Sequence, residues 1–181
     1  MSNTKKFIVY EDSLLYTSHG PIIMKELYNI YSANKLDKNI VIAGLEKQGE
    51  IRSKILSIEK IETVVGISLR VSGIGLKPRD IVVYPNSFYS IYDTNFNPIK
   101  LEEVKVNDKL FTANGYLNID YVHINDEENI YTYYILELEG HMTSLLVDSI
   151  ALVKNPEAPK KKRGRKKKKD EVDFFQSRWS L

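Results

Sequence analysis

Apolar and polar residues alternate with a period of two along much of the chain, which is typical of strands with one buried face. In the segment Ile130–Glu139, the side chains of Tyr134, Leu136 and Leu138 fall on one face, and two glutamates fall on the other. The segment Val65–Val71 alternates in the same way. Both segments are therefore predicted to be half-buried β-strands.

Similar patterns predict further short strands elsewhere in the chain. They are Phe7–Tyr10, Leu14–Tyr16, Asn39–Leu45, Glu50–Ile58, Asp80–Tyr84, Phe88–Tyr92, Leu110–Thr112, Tyr116–Val122 and Ile150–Val153. Turn-forming residues separate them, at Gln48-Gly49, Ser72–Pro78, Asp93–Pro98, Asn114-Gly115 and Asp148-Ser149. Many short strands and frequent turns predict an all-β sandwich or barrel.

One segment fits two kinds of element. Ile22–Met24 continues the strand pattern after the turn Thr17–Pro21. However, Ile23, Leu27 and two residues of the next turn, Ile30 and Tyr31, would also form one face of a short helix. The pattern leaves both interpretations open.

Composition narrows the class of protein. The 181 residues allow one domain with a real core and a tail, and no apolar run approaches the roughly 20 residues of a spanning helix. Phe7–Tyr10 is too short for the core of a signal peptide, and the absence of cysteine excludes disulfides, thiol catalysis and thiolate metal sites. We expect an intracellular or virion-internal protein, neither secreted nor transmembrane, and the abundance of Lys, Ile, Asn and Tyr favours a viral or mobile-element origin.

Four blocks, in order, resemble the Hint (hedgehog/intein) domain family. The blocks are Asp12–Leu27, Val83–Tyr89, Ile99–Leu110 and the C-terminal Ile130–Asn155, which contains a strand, a histidine, a turn and a short apolar strand. The blocks span about residues 7–155. The resemblance implies a compact all-β Hint domain.

The resemblance also implies where catalytic groups would stand. A Hint domain needs a nucleophile at its N-terminal edge, but the matching segment Phe7–Glu11 has no Cys, Ser or Thr, and Ser2 lies too early. The Thr and His of the family's Thr-x-x-His block correspond to Tyr84 and Ser87. A serine cannot transfer protons as an imidazole does near neutral pH.

The C-terminal edge keeps part of the family pattern. The final His-Asn pair of the family is Lys154-Asn155 here, and His141 is retained. We therefore predict no catalytic residues, with Ser87, His141, Lys154 and Asn155 as relic positions, and we expect His141 and Asn155 to have structural roles. The alternative is residual self-cleavage at Asn155-Pro156, assisted by His141 as an acid.

No metal or other cofactor is expected. The chain has three histidines, His19, His123 and His141, and they are neither clustered nor at helical ligand spacing.

The chain divides into parts of opposite charge. Residues 160–181 contain ten Lys or Arg and three acids (net +7), whereas residues 1–159 contain 16 basic and 21 acidic residues (net −5). Such asymmetry usually means two parts with different functions. We place the domain at residues 1–155, a Pro-containing polybasic linker at 156–169 and a docking segment at 170–181.

The polybasic run is the candidate nucleic-acid-binding segment. It consists of Lys160, Lys161, Lys162, Arg163, Gly164, Arg165, Lys166, Lys167, Lys168 and Lys169. Each cation that neutralises a phosphate releases a counterion, so such a run binds DNA or RNA with a steep salt dependence. Arg163-Gly164-Arg165 resembles the core of an AT-hook, and the run would also serve as a nuclear localisation signal in a eukaryotic host. No membrane partner is expected, because no amphipathic basic helix accompanies the run.

The last segment is rich in aromatic residues. Its candidate docking residues are Val172, Phe174, Phe175, Trp179 and Leu181. Val172, Phe175 and Trp179 are spaced for one face of a helix, which suits a groove in a protein partner. Packing onto the chain's own domain is the other interpretation. The combined prediction is a non-catalytic Hint-like binding or structural protein that contacts nucleic acid, or a nucleoprotein or virion assembly, through its tail.

Overall fold

The computed structural model describes residues 4–85 and 89–154, without the side chains of residues 125–128. The predictions for Ser87, Asn155, the polybasic run and the aromatic segment lie outside the described residues. Within these ranges, no helix is long and apolar enough to cross a membrane.

Twelve strands and one α-helix make up the described part of the chain. The strands are β1 (Thr4–Tyr10), β2 (Leu14–Thr17), β3 (Gly20–Ile23), β4 (Val41–Glu46), β5 (Gly49–Gly73), β6 (Leu76–Val83), β7 (Tyr89–Tyr92), β8 (Pro98–Lys100), β9 (Lys109–Thr112), β10 (Gly115–Glu139), β11 (Ser144–Val147) and β12 (Ile150–Lys154). The helix α1 is Met24–Ser32, and Leu101–Glu103 forms one turn of 3₁₀-helix. The predicted all-β class is confirmed.

Two strands of 25 residues each, β5 and β10, form the spine of the fold. They pair antiparallel from Asn118↔Ser72 to Leu138↔Ile55, with three register shifts along β10. The flanking strands add to this pair: β4 and β6 pair with β5, while β1 and β9 pair with β10. The remaining order is β4-β2-β11-β12-β7-β8, so one continuous antiparallel sheet curls around a single main core.

The lengths of β5 and β10 differ from the sequence prediction, which divided each into shorter strands. The missed stretch of β5, Glu59–Val64, places mostly exposed or half-exposed side chains on both faces. Its ladder to β10 continues through Thr63↔Tyr131. Because backbone hydrogen bonds maintain this stretch without a buried face, no hydrophobic alternation marks it.

The ambiguous segment is divided between a strand and a helix, since Ile22 and Ile23 lie in β3 and the residues from Met24 onwards form α1. α1 begins directly after β3 and buries Met24 and Leu27, while Ile23 and Ile30 stay partly exposed. Each interpretation is therefore correct for part of the segment, and the buried face of the helix contains Met24 and Leu27 rather than Ile23 and Ile30.

One predicted turn is confirmed, and two differ in position or length. Asp148 and Ser149 both adopt positive φ (50° and 73°), which confirms the two-residue turn between β11 and β12. Between β9 and β10 the turn residues are Ala113-Asn114, and Gly115 already pairs with Thr112. Pro78 was assigned to a turn but lies in β6, which pairs only with β5; an edge strand tolerates a residue that lacks an N–H.

Candidate functional site

The two ends of the described domain meet beside β7. The first strand begins with Thr4 opposite Glu139, the last residue of β10. The last strand ends with Lys154 opposite Tyr89, the first residue of β7. The Tyr89 hydroxyl donates a hydrogen bond of 2.8 Å to the carbonyl oxygen of Lys6. We call the region formed by residues 4–7, Tyr89, residues 140–143 and Lys154 the junction.

Tyr89 is the one polar side chain of the junction that is buried. Its side chain is buried (4% exposed), and its ring centroid lies 6.2 Å from that of Phe7. Burial raises the pKa of Tyr89 to about 12, so the phenol is a neutral hydrogen-bond donor near physiological pH. A donor of this kind polarises the peptide carbonyl that it contacts.

The residue that follows this polarised carbonyl is Phe7, which is fully buried in the core. Phe7 pairs with Leu136 in the middle of the β1–β10 ladder. The position next to the carbonyl therefore holds an apolar side chain and offers no nucleophile.

Thr4 carries the only aliphatic hydroxyl of β1. Hydrogen bonds from the hydroxyls of Ser57 and Thr4 stabilise the carboxylate of Glu137 and lower its pKa. The Thr4 hydroxyl is thus directed at a carboxylate on the neighbouring strand.

The connection that contains His141 turns at Gly140 and is held by Thr143 at its C-terminal end. Gly140 adopts a positive φ of 86°, and the carbonyl of Thr143 accepts a hydrogen bond of 2.9 Å from the Lys154 backbone N–H. The Thr143 hydroxyl donates to a carboxylate oxygen of Glu46 at 2.7 Å. His141 has an exposed side chain and lies between Gly140 and Thr143 in the chain. The structure therefore brings two predicted positions, His141 and Lys154, to the same region.

Other predicted positions lie elsewhere. Tyr84 packs edge-on against Tyr133, with ring centroids 5.2 Å apart. His19 lies in the β2–β3 turn with its Nε2 3.3 Å from a carboxylate oxygen of Asp37, and His123 stacks on Tyr121 along β10. Among the described residues, no three His, Asp or Glu side chains gather as they would around a metal ion.

Sequence reasoning did not identify Tyr89 as a site residue. The block Val83–Tyr89 ends at this position, but a tyrosine in a short apolar strand normally indicates core packing. The only signal was its place two residues after Ser87.

Comparison with known proteins gives matches in structure alone. No protein-family model matches the chain, and no curated protein matches its sequence. The TvoVMA intein superposes with a TM-score of 0.64 at 16% identity, and 83% of this chain and 98% of the intein are covered.

The Ssp DnaB mini-intein variant M86 gives a TM-score of 0.60 at 13% identity, with 87% and 100% covered. A bacterial intein-like domain from Clostridium thermocellum gives 0.59 at 16% identity, with 82% and 98% covered. The chain has the Hint fold.

The Hint fold confirms the expectation from the four sequence blocks. At such low identities the likeness establishes the fold alone. The chemistry must be argued from the residues of the site. In this Hint domain the described part of the junction presents a neutral phenol, Tyr89, to the Lys6 carbonyl, which Phe7 follows, and the backbone of Lys154 lies opposite Tyr89. These groups can polarise and hold a backbone segment.

Proposed function

We propose that this chain is a non-catalytic Hint-fold protein that contacts nucleic acid, or a nucleoprotein assembly, through residues 160–169. The observation that supports the loss of self-processing is that residue 7, which follows the Lys6 carbonyl, is a phenylalanine. Tyr89 donates to the carbonyl of Lys6, as a group that activates a peptide bond would, but a buried phenyl ring follows that carbonyl. Acyl transfer requires a hydroxyl or thiol there.

The nucleic-acid part of the proposal rests on charge. Nine of the ten residues 160–169 are Lys or Arg, and residues 1–159, which precede them, have a net charge of −5. Their mutual repulsion opposes compaction, and a polyanion relieves it. DNA and RNA share the phosphate chemistry that this run recognises.

Salt dependence tests the nucleic-acid contact. If the run contacts about six phosphates, the slope of log K against log salt concentration on duplex DNA should be near −5. A fragment that ends at Pro159 should bind no better than a neutral protein. Equal binding by the fragment and the full chain would place the contact elsewhere.

Self-cleavage at Asn155-Pro156 is the second candidate. It is favoured by the position of Lys154, whose backbone N–H bonds to Thr143 two residues after His141. In this reaction the Asn155 side-chain amide nitrogen attacks the Asn155 backbone carbonyl carbon, gives up one of its two protons to solvent and forms a succinimide. The bond to the Pro156 nitrogen breaks, and that nitrogen takes up a proton, with His141 as the acid.

Intact mass after prolonged incubation separates the two candidates. The non-catalytic proposal expects only the full-length chain. A species that ends at Asn155 would establish cleavage, and its loss in His141→Ala, with retention in His19→Ala, would assign the acid.

A further inference from the structure

A groove opens at the tip of the β5–β6 hairpin, on the side opposite the end of β12. It has a volume of about 350 Å³ and lies between this hairpin and the β9–β10 turn. Three large apolar side chains at its edge are unusually exposed: Ile74 (91%), Leu76 (61%) and Tyr116 (39%). Apolar groups gathered in this way around a concave surface mark a docking site more often than scattered exposed residues do.

The rim of the groove is positively charged. Lys77 and Arg79 line it, and no described lining residue is acidic. A third cation, Lys109, lies with its Nζ 5.0 Å from the centroid of the Tyr116 ring. The Arg79 guanidinium also donates to the carbonyl oxygen of Asp148 at 2.5 Å, which holds it in place beside the groove. The groove therefore suits an acidic segment with large apolar side chains.

This chain contains such a segment outside the described residues. Residues 170–181 combine three acids near the beginning, Asp170, Glu171 and Asp173, with two phenylalanines and the only tryptophan. The acids complement Lys77, Arg79 and Lys109, and the aromatic rings complement the apolar edge. In contrast, the preceding run of nine cations would be repelled by the same rim.

The connection is long enough. Lys154 is five residues beyond Ser149, which lines the groove, and this distance is about 17 Å along an extended strand. Fifteen residues separate Lys154 from Asp170, and they can span about 50 Å when extended. A tether of this length holds the segment at an effective concentration on the order of millimolar, so that a weak contact suffices for docking.

We infer that residues 170–181 fold back and dock in this groove, with Trp179 against the apolar edge and the acids on the basic rim. The polybasic run then forms a loop that is fixed at both ends, at Lys154 and at the groove. Its cations are held away from the rim and directed to solvent. This inference concerns the domain and its own C-terminal segment, and it stands independently of the proposed nucleic-acid contact.

Fluorescence of Trp179 in the full-length protein, without nucleic acid, tests the inference. Because the chain has one tryptophan, the emission reports this position alone. We expect a blue-shifted emission and reduced acrylamide quenching relative to a synthetic peptide of residues 170–181. Both should be independent of protein concentration.

Two variants on the groove should abolish this protection. Leu76→Glu places a charge on the apolar edge, and Lys77→Glu reverses the charge of the rim; both side chains are exposed, so folding is preserved. Each should shift the emission to the red, towards that of the peptide. Ile124→Glu is the matched control, since Ile124 is 63% exposed and does not line the groove.

Three results would overturn the inference. The first is a full-length emission equal to that of the peptide. The second is a blue shift that survives both groove variants, which would place Trp179 elsewhere on the domain. The third is a blue shift that disappears on dilution, which would assign the groove to a second copy of the chain.

Discussion

At the scale of single residues, Tyr89 links three elements of the junction. Its hydroxyl bonds to β1, its backbone pairs with Lys154 of β12, and its ring packs near Phe7. The hydroxyl is buried, and it donates to the backbone carbonyl of Lys6, which lies near the beginning of β1 at the edge of the domain. Loss of this group should therefore weaken the contact between the two ends of the domain.

Tyr89→Phe tests this contribution. Removing one partner of a buried hydrogen bond should lower the free energy of unfolding by about 1 kcal/mol at neutral pH. The measurement is urea denaturation of both proteins. Tyr92→Phe, in the same strand but half-buried, is the control and should have a smaller effect.

The pH dependence provides an independent check of Tyr89. Its pKa is raised from 10.0 to about 12, so the unfolded chain ionises first, and the stabilisation present below pH 10 is lost as pH rises through about 12. The loss amounts to roughly 2–3 kcal/mol in the wild-type protein. Because Tyr89→Phe lacks this group, its deficit should shrink and then reverse as pH rises from 10 to 12, since the wild-type loss exceeds the deficit of about 1 kcal/mol at neutral pH. A constant deficit would show that Tyr89 does not titrate in this range.

Gly44 is a residue whose identity follows from its neighbours. A Cβ on this residue of β4 would fall on the carbonyl oxygen of Ser144. The Ser144 hydroxyl also hydrogen-bonds with the backbone of Leu45, which holds the two strands at this separation. Neither strand can withdraw without breaking these bonds.

Gly44→Ala should therefore lower the free energy of unfolding by about 3 kcal/mol, near the upper end for overpacking. Gly73→Ala is the matched control, because a Cβ there meets mainly the Leu117 Cδ2 methyl at 2.9 Å, and that side chain can rotate. We expect a loss of about 1 kcal/mol for the control. Equal losses in thermal unfolding would show that the Ser144 carbonyl is not the obstacle.

At the scale of elements, the turn between β11 and β12 concentrates several interactions on one residue. Asp148 and Leu14 exchange two hydrogen bonds of 2.9 Å, one through the Asp148 carboxylate and one through its backbone N–H. Ser13 is buried next to this pair, and its hydroxyl favours the carboxylate form without completing a hydrogen bond of good geometry. Burial dominates and raises the pKa of Asp148, against the Leu14 N–H and Arg79.

Asp148→Asn should keep the turn and remove the buried charge. Asparagine tolerates the positive φ of this position and retains an acceptor for the Leu14 N–H. Because the pKa of Asp148 is raised in the folded state, its contribution to stability is present below pH 3.8 and is lost as pH rises through the folded value. The variant should therefore be more stable than wild type at pH 7 and lose that advantage in acid.

Denaturation midpoints at pH 7 and pH 3 measure this difference. Asp148→Ala is the control: it removes the acceptor and disfavours the left-handed conformation, so it should be less stable than Asp148→Asn by about 2 kcal/mol at both values. A lower stability of the asparagine variant at pH 7 would mean that the charge of Asp148 is favourable where it stands.

Elements with a buried face could be predicted from the sequence, and those without one could not. The strand pattern at Tyr134, Leu136 and Leu138 is confirmed, since all three side chains are buried. Tyr133 lies on the opposite face and is nevertheless buried, because the missing side chain of Gly66 leaves room for its hydroxyl, which donates to the Val65 carbonyl. A contact between residues that are 68 positions apart leaves no periodic signal in either strand.

At the scale of the whole molecule, the site could likewise be predicted only in part from the sequence, because some of its contacts join residues far apart in the chain. The four Hint-like blocks and the convergence of His141 with Lys154 follow from the sequence and its resemblance. In contrast, the contact between Tyr89 and Lys6 joins residues 83 positions apart. The groove beside β6 likewise depends on how the β5–β6 hairpin meets the β9–β10 turn. Such sites emerge only when the sheet closes.

Because the last two strands complete the sheet, the folding unit is expected to end after β12. The strands β11 and β12 link β2 to β7 in the sheet, and they bury Leu145, Ile150 and Leu152 in the main core. A fragment that ends at Gly140 lacks both strands, leaving β2 and β7 without these neighbours. We therefore expect no cooperative unfolding transition for this fragment.

A fragment that ends at Pro159 keeps every described strand and should unfold in one cooperative transition, as the full chain does. Thermal unfolding followed by circular dichroism compares the three proteins. Cooperative unfolding of the shorter fragment, or none in the longer one, would show that the predicted boundary near residue 155 is wrong.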